Sequence, residues 1–135
     1  MKEQIIISGK RKTAVAKLRM IEGSGNISFN GLAYATLPLF HRLALAEPTR
    51  IFEHEMGEKV KLDFTITVSG GGKESQIQAA RLAIAKALLK TTGSETLRKA
   101  FVSYDRNMVV PDARRKEANK PGDSAARAKR QKSYR

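Results

Sequence analysis

Three groups of residues in this chain have types and spacings that can do chemistry, and in each the chemistry is electrostatic. Gly9-Lys10-Arg11-Lys12 sets three adjacent cations beside a glycine. Charges crowded this closely repel one another, and phosphate is their natural neutralising partner. Gly70-Gly71-Gly72-Lys73 follows an alternating segment and opens a helical one. Glycines there allow a sharp turn or a close approach of backbone to RNA, and the helix start behind them favours an anion. The third group is the C-terminal run ARRKEANKPGDSAARAKRQKSYR. Its cations Arg114, Arg115, Lys116, Lys120, Arg127, Lys129, Arg130, Lys132 and Arg135 are spaced by small residues rather than massed. Tyr134 and Arg135 at its end are suited to stacking on a base and binding phosphate.

Catalytic chemistry finds less support. Glu53, Glu55 and Glu58 surround His54 and supply acid–base groups, yet they lie in a polar stretch ahead of a strand, where solvation explains them. His41 falls inside a helical pattern and reads as a packing or surface residue. No nucleophile stands beside a base. GGGK lacks the spacing of a P-loop, and no G-x-G-x-x-G is present. With no cysteine and two histidines, the chain offers neither a disulfide framework nor a thiolate or His-based metal site. The expectation is a non-enzyme with no catalytic residue, metal or cofactor.

The elements that position these groups follow from periodicity. Gln4–Ser8 reads as a short strand. Thr13–Glu22 alternates, with Ala14, Ala16, Leu18 and Met20 on one face and Lys17 and Arg19 on the other. Gly23–Asn26 is a turn, and Ile27–Phe29 is expected to return as the hairpin partner of that strand. Leu37–Ala46 reads as a short helix, opened near Pro38 and stopped before Pro48. Lys59–Ser69 is the clearest strand, with Val60, Leu62, Phe64, Ile66 and Val68 on one side. Glu74–Lys90 follows as a helix whose apolar stripe is Ile77, Ala80, Ile84, Ala87 and Leu88, with Gly93 as its stop. Glu95–Tyr104 is a second short helix, and Met108–Val110 a candidate last strand. The fold class is α+β: a mostly antiparallel four-stranded sheet with helices on one face.

Composition divides the chain. Residues 1–110 carry apolar side chains throughout and form one globular domain, whereas residues 111–135 contain no Val, Ile, Leu, Met or Phe. That tail cannot build a core and is expected to order only on a partner. It holds nine of the 26 Lys and Arg and three of the 13 Asp and Glu, so it contributes +6 of a net charge of +13. Fully extended it would reach on the order of 80 Å. So basic a chain, with a pI near 10.3, calls for a polyanion. No apolar run approaches the ~20 residues of a membrane span, and the N-terminus lacks the pattern of a signal peptide. A soluble, intracellular protein with no membrane partner is expected.

Several strings, in their order and spacing, now point to a family. They are GKRKTAVAK at Gly9–Lys17, NISFNG at Asn26–Gly31, AEP at Ala46–Pro48, DFTITVSGGG at Asp63–Gly72, QIQAARLAIAKALL at Gln76–Leu89, YDRNMVVPDARRKE at Tyr104–Glu117, and the ending AKRQKSYR. The chain resembles the universal small-subunit ribosomal proteins of the S-nine family in their archaeal/eukaryotic form, nearly end to end. The resemblance implies a domain of the ribosomal S5 domain 2-like type, seated on 16S-type rRNA in the head of the small subunit beside neighbouring head proteins. It also implies a tail directed toward the peptidyl-site tRNA. Lys10, Arg11 and Lys12 match the family's rRNA-contacting turn, and Arg114, Arg115, Lys116 and Lys120 its basic tail base. With the loop Gly70, Gly71, Gly72 and Lys73 and the tail cations Arg127, Lys129 and Arg130, these make the expected rRNA-binding set. Lys132, Tyr134 and Arg135 are the expected tRNA-binding set. The implied place is the ribosome in the cytoplasm, and no homo-oligomer is expected. Two rivals stand apart. A small-molecule kinase would need a phosphate loop with a partnering base, and a DNA-compacting protein would bind duplex DNA and rRNA equally.

Overall fold

Alternation in the sequence becomes a sheet with one covered and one open face. The computed structural model describes residues 4–122 and 125–129. Strands β1 (Ile5–Arg11) and β2 (Ala14–Glu22) pair antiparallel, from Ile5 opposite Met20 to Arg11 opposite Ala14. Two short strands follow, β3 (Ile27–Phe29) and β4 (Leu32–Ala33). Strand β5 (Leu62–Ser69) lies antiparallel beside β2, and the sheet order is β1-β2-β5-β3-β4. Because side chains point to opposite faces at every step, Ile7, Ala14, Ala16, Leu18, Met20, Phe64, Ile66 and Val68 are all buried on one face.

Helix α2 (Lys73–Thr92) covers that face, packing on β1, β2 and β5. Helix α1 (Leu39–Met56) packs on α2, and α3 (Glu95–Tyr104) packs on α1. The α2 stripe expected from periodicity is buried, and so are Ala79, Ala83 and Ala85. Alanine suits this place: it has the highest helix propensity and is thin enough for the sheet and α1 to approach from two sides. Phe64 and Phe101, both almost wholly buried, anchor the core from the sheet and from α3, each side chain contributing roughly 1.5–3 kcal/mol by burial.

Four local expectations are corrected. Strand β3 is not the hairpin partner of β2; it runs parallel to β5, with Ile27 opposite Phe64 and Phe29 opposite Ile66. The edge of β2 is taken by β5, so the chain after Glu22 must cross to the far side of β5. Asp63 guides the crossing, its Oδ1 accepting from the backbone N–H of Ser24, Gly25 and Asn26 at 3.0, 3.0 and 2.9 Å. Helix α1 does not stop before Pro48 but runs on to Met56 and ends at Gly57. An internal proline costs ~3 kcal/mol, but the Pro48 ring is itself fully buried and Leu45, Ala46, Ile51 and Phe52 continue the apolar stripe across it. Residues Arg106–Met108 form a 3₁₀ turn, not a strand, because the Asp105 carboxylate accepts from Asn107 N–H at 2.9 Å and Met108 turns into the core. Among the described residues the sheet has five strands rather than four, the addition being the two-residue β4.

Candidate nucleic-acid interface

The cationic turn is the tip of the β1–β2 hairpin. Arg11 and Ala14 still pair, so only Lys12 and Thr13 form the loop. A two-residue hairpin loop requires positive φ at its first or both central positions, and Lys12 takes φ 53°. Holding a side chain other than glycine there costs roughly 1–2 kcal/mol. Lysine in a position made for glycine marks a site where strain is tolerated for charge. Lys12→Gly is therefore expected to raise the unfolding free energy by up to about 1 kcal/mol. It should also flatten the salt dependence of RNA binding by about 0.7–0.9 in log–log slope, one phosphate contact. Chemical denaturation and binding to an rRNA fragment across a salt series check both arms.

Gly9 serves the interior rather than a ligand. A Cβ on Gly9 would sit 2.3 Å from the carbonyl oxygen of Ala79 and 2.9 Å from the amide nitrogen of Ala83, so hydrogen at this position is what lets α2 lie on β1. Two of the three loop glycines are likewise occupied within the chain. Gly70 and Gly71 have φ of 75° and 68°, and Cβ atoms there would meet Thr13 O at 2.6 Å and Ala14 Cβ at 3.0 Å. The glycine loop is thus packed directly beneath the hairpin tip. Gly72, at the mouth of α2, has nothing within 4 Å of such a Cβ. Of the three, Gly72 alone offers open space, and Lys73 beside it is exposed. Gln76 Nε2 donates to Gly70 O at 3.1 Å, and His41 Nε2 meets Glu74 Oε1 at 3.0 Å, which brings the start of α1 against the start of α2.

The tail begins at this same end. Arg11 donates to the Asp112 carboxylate, across 101 residues of sequence. Asp112 also accepts from Arg114 N–H at 2.9 Å, Nε at 2.8 Å and Nη2 at 2.7 Å. Hydrogen bonds from Arg114, with Arg11 adding to them, hold the Asp112 carboxyl far below the usual carboxylate range and raise the Arg114 guanidinium. Asp112 is thus ionised throughout neutral pH, and its clasp loosens only in strong acid, below the ordinary value of 3.8. The hairpin tip, the glycine loop and the tail base Asp112–Arg115 are brought together. Lys10, Lys12 and Lys116 stand exposed there with no ion pair among the described residues.

Farther along, the tail cations are engaged with the tail itself. Arg127 donates to both Glu117 oxygens at 2.9 and 2.7 Å, and Lys120 Nζ donates to Ala128 O at 3.0 Å. Lys129 is exposed. Arg130, Lys132, Tyr134 and Arg135 lie outside the described residues.

A second network escaped sequence reasoning because its members are scattered over three elements. Arg81, 7% exposed in the middle of α2, donates to Glu47 of α1 at 2.5 Å and to Asp105 at the end of α3. Glu47 also pushes the Tyr104 phenol up, with burial adding to the effect. The signal was present as the acids of AEP and YDRN and the arginine of QAARLA. Their convergence is a property of the packing and not of any one string. Among the described residues no group of three or more His, Cys, Asp or Glu is placed to hold a metal ion, and no helix is long and apolar enough to cross a membrane.

Comparison with known proteins covers nearly the whole of this architecture. The family model described as ribosomal protein S9/S16 matches residues 9–135. Small ribosomal subunit protein uS9 of Methanococcus vannielii is 42% identical over 130 residues, spanning 94% of this chain and 95% of its own length. The uS9 protein of Methanococcus maripaludis (strain C5) is 42% identical over the same extent.

Proposed function

This chain belongs to the ribosomal protein S9/S16 family, a family of ribosomal proteins and not of enzymes, and from that premise we propose how it serves the small subunit. The globular part, residues 1–110, docks on 16S-type rRNA in the subunit head. The tail, residues 111–135, runs inward and meets the peptidyl-site tRNA through Lys132, Tyr134 and Arg135. The place of action is the ribosome in the cytoplasm. The observation that carries the reading is the convergence of the exposed Lys10 and Lys12, the open Gly72–Lys73 corner and the start of the tail at one end of the domain. Phosphate contacts from such a cluster position a protein on folded RNA without reading sequence.

Asp112 gives the tail a fixed departure point, because the clasp to Arg11 ties its first residues to the hairpin that touches rRNA. Beyond that point charge and reach are the tail's contribution, and its own residues cannot offset the entropy of ordering until RNA neutralises them.

Deleting residues 132–135 is expected to leave the domain folded and the subunit assembled while weakening retention of tRNA in the peptidyl site. The measurement is tRNA dissociation from reconstituted subunits carrying the truncated chain. An unchanged dissociation rate would remove the tRNA role from the tail. Equal affinity of the isolated protein for duplex DNA and for the rRNA fragment would instead favour a general nucleic-acid-compacting protein.

A further inference from the structure

Apart from the Ser24–Asn26 crossing at Asp63, no described element covers the open face of the sheet, whose outward positions are rich in cations and hydroxyls. Three cross-strand rows run across it. The middle row is Ser8–Lys17–Thr67. One step toward the hairpin tip the row is Lys10–Val15–Ser69, and one step away it is Ile6–Arg19–Thr65, extended onto β3 by Ser28. Lys17 and Arg19 are two residues apart on one strand, roughly 7 Å, and Lys10 stands diagonally from Lys17 at about 7–8 Å. All three cations are exposed, and among the described residues none has an ion-pair or hydrogen-bond partner. Among the described residues Asp63 is the one carboxylate at the outward strand positions, and its Oδ1 is already taken by the amides of Ser24, Gly25 and Asn26.

From this arrangement we infer that the open sheet face is a second docking surface for the ribose–phosphate backbone of folded RNA, continuous with the hairpin tip through Lys10. Charge complementarity selects the occupant: a stepped line of unpartnered cations flanked by hydroxyls meets phosphates with the former and ribose 2′-OH groups with the latter. A protein partner would want an apolar or aromatic centre, and the exposed apolar residues Ile6 and Ile21 lie only toward the end farthest from the tip. A wide, shallow RNA minor groove, displaying 2′-hydroxyls, suits a face that is open from the tip to the Ser24–Asn26 crossing at Asp63. The inference rests on the rRNA-binding reading above and extends it from one end of the domain to a whole side.

The test uses the full-length chain and a transcript of the head domain of 16S-type rRNA, with affinities measured across a salt series. Lys17→Gln with Arg19→Gln is expected to weaken binding at least tenfold at physiological salt and to reduce the log–log slope by about 1.4–1.8, the value for two phosphates. Lys10→Gln with Lys12→Gln serves as the comparison at the tip. Thr65→Val with Thr67→Val keeps strand-forming side chains on an exposed face. That pair should narrow the preference for RNA over DNA of the same sequence while leaving the slope unchanged. Melting curves for each pair confirm that the fold is intact. If the Lys17/Arg19 pair binds like wild type while the Lys10/Lys12 pair is weakened, the sheet-face inference is overturned and the docking of the tip stands. If neither pair weakens binding, both readings fall. If only the Lys17/Arg19 pair weakens it, the tip reading falls and so does the continuity of the sheet face with it through Lys10.

Discussion

Arg81→Ala is expected to lower the unfolding free energy by about 2–4 kcal/mol, more than any other single charge removal in the described chain. The reason is what the substitution leaves behind. Arg81 is nearly buried and holds Glu47 and Asp105 at once. Removing one partner of a fully buried ion pair costs about 3–5 kcal/mol; here the carboxylates keep 29% and 35% side-chain exposure, so water recovers part of the loss. Arg81→Met retains most of the packing volume and isolates the electrostatic part. In that variant Glu47 and Asp105 are left without their shared cation. Adding Glu47→Gln and Asp105→Asn to Arg81→Met should restore most of the stability, because an entirely neutral replacement strands no charge. Urea denaturation of the four proteins closes the cycle. A deficit below about 1 kcal/mol for Arg81→Ala, or no recovery in the triple variant, would show that the network is incidental to folding.

The position of this network ties stability to function. Glu47 lies immediately before Pro48, where α1 lacks a backbone hydrogen bond, and Asp105 sits where α3 gives way to the segment leading into the tail. Arg81 therefore braces the weakest turn of α1 and the route by which the chain reaches Asp112. At the other end of that route the Asp112–Arg11 clasp fixes the tail base to the hairpin tip. Two ion networks, one nearly buried and one at the surface, bracket the segment from which the tail departs.

Much of this was legible in the sequence, and what was hidden has physical causes. Strands β2 and β5 and helices α2 and α3 announced themselves because each carries a full period of alternation or an apolar stripe between turn residues. The partner of β3 did not, since three residues carry no register information and the deciding contact, Asp63 with the amides of Ser24–Asn26, links positions almost forty residues apart. Pro48 misled because the local rule for proline is strong, and only the burial on both sides of it overrides the rule. For the candidate site, the cations of Lys10–Lys12 and the glycine loop were visible as separate strings, and their adjacency came from the fold. Lys17 and Arg19 were visible too, as the polar side of a half-buried strand. Such a side is ordinarily there for solvation, and only the register against Ser8, Thr65 and Thr67 makes it a surface with a composition of its own.

Gly9 shows how the same residue supports opposite readings until its surroundings are known. Beside three cations it suggests a backbone that must approach RNA; in the fold its missing Cβ faces the α2 backbone. Gly9→Ala is therefore expected to cost about 3 kcal/mol or more. A Cβ at 2.3 Å from Ala79 O meets rigid helix backbone and not a flexible side-chain end, at or beyond the ~1–3 kcal/mol usual for overpacking. Gly9 does not sit in the left-handed region, so the loss would come from contact and not from φ. To relieve the contact α2 must back away from β1, and the Gly72–Lys73 corner at its start would move with it relative to Lys10 and Lys12. Thermal unfolding and rRNA binding measured on one variant separate the possibilities. A large drop in melting temperature, with the salt slope of RNA binding preserved below the transition, places Gly9 in the packing. An unchanged melting temperature with binding lost would return it to the RNA surface, and the close seat of α2 on β1 would need another explanation.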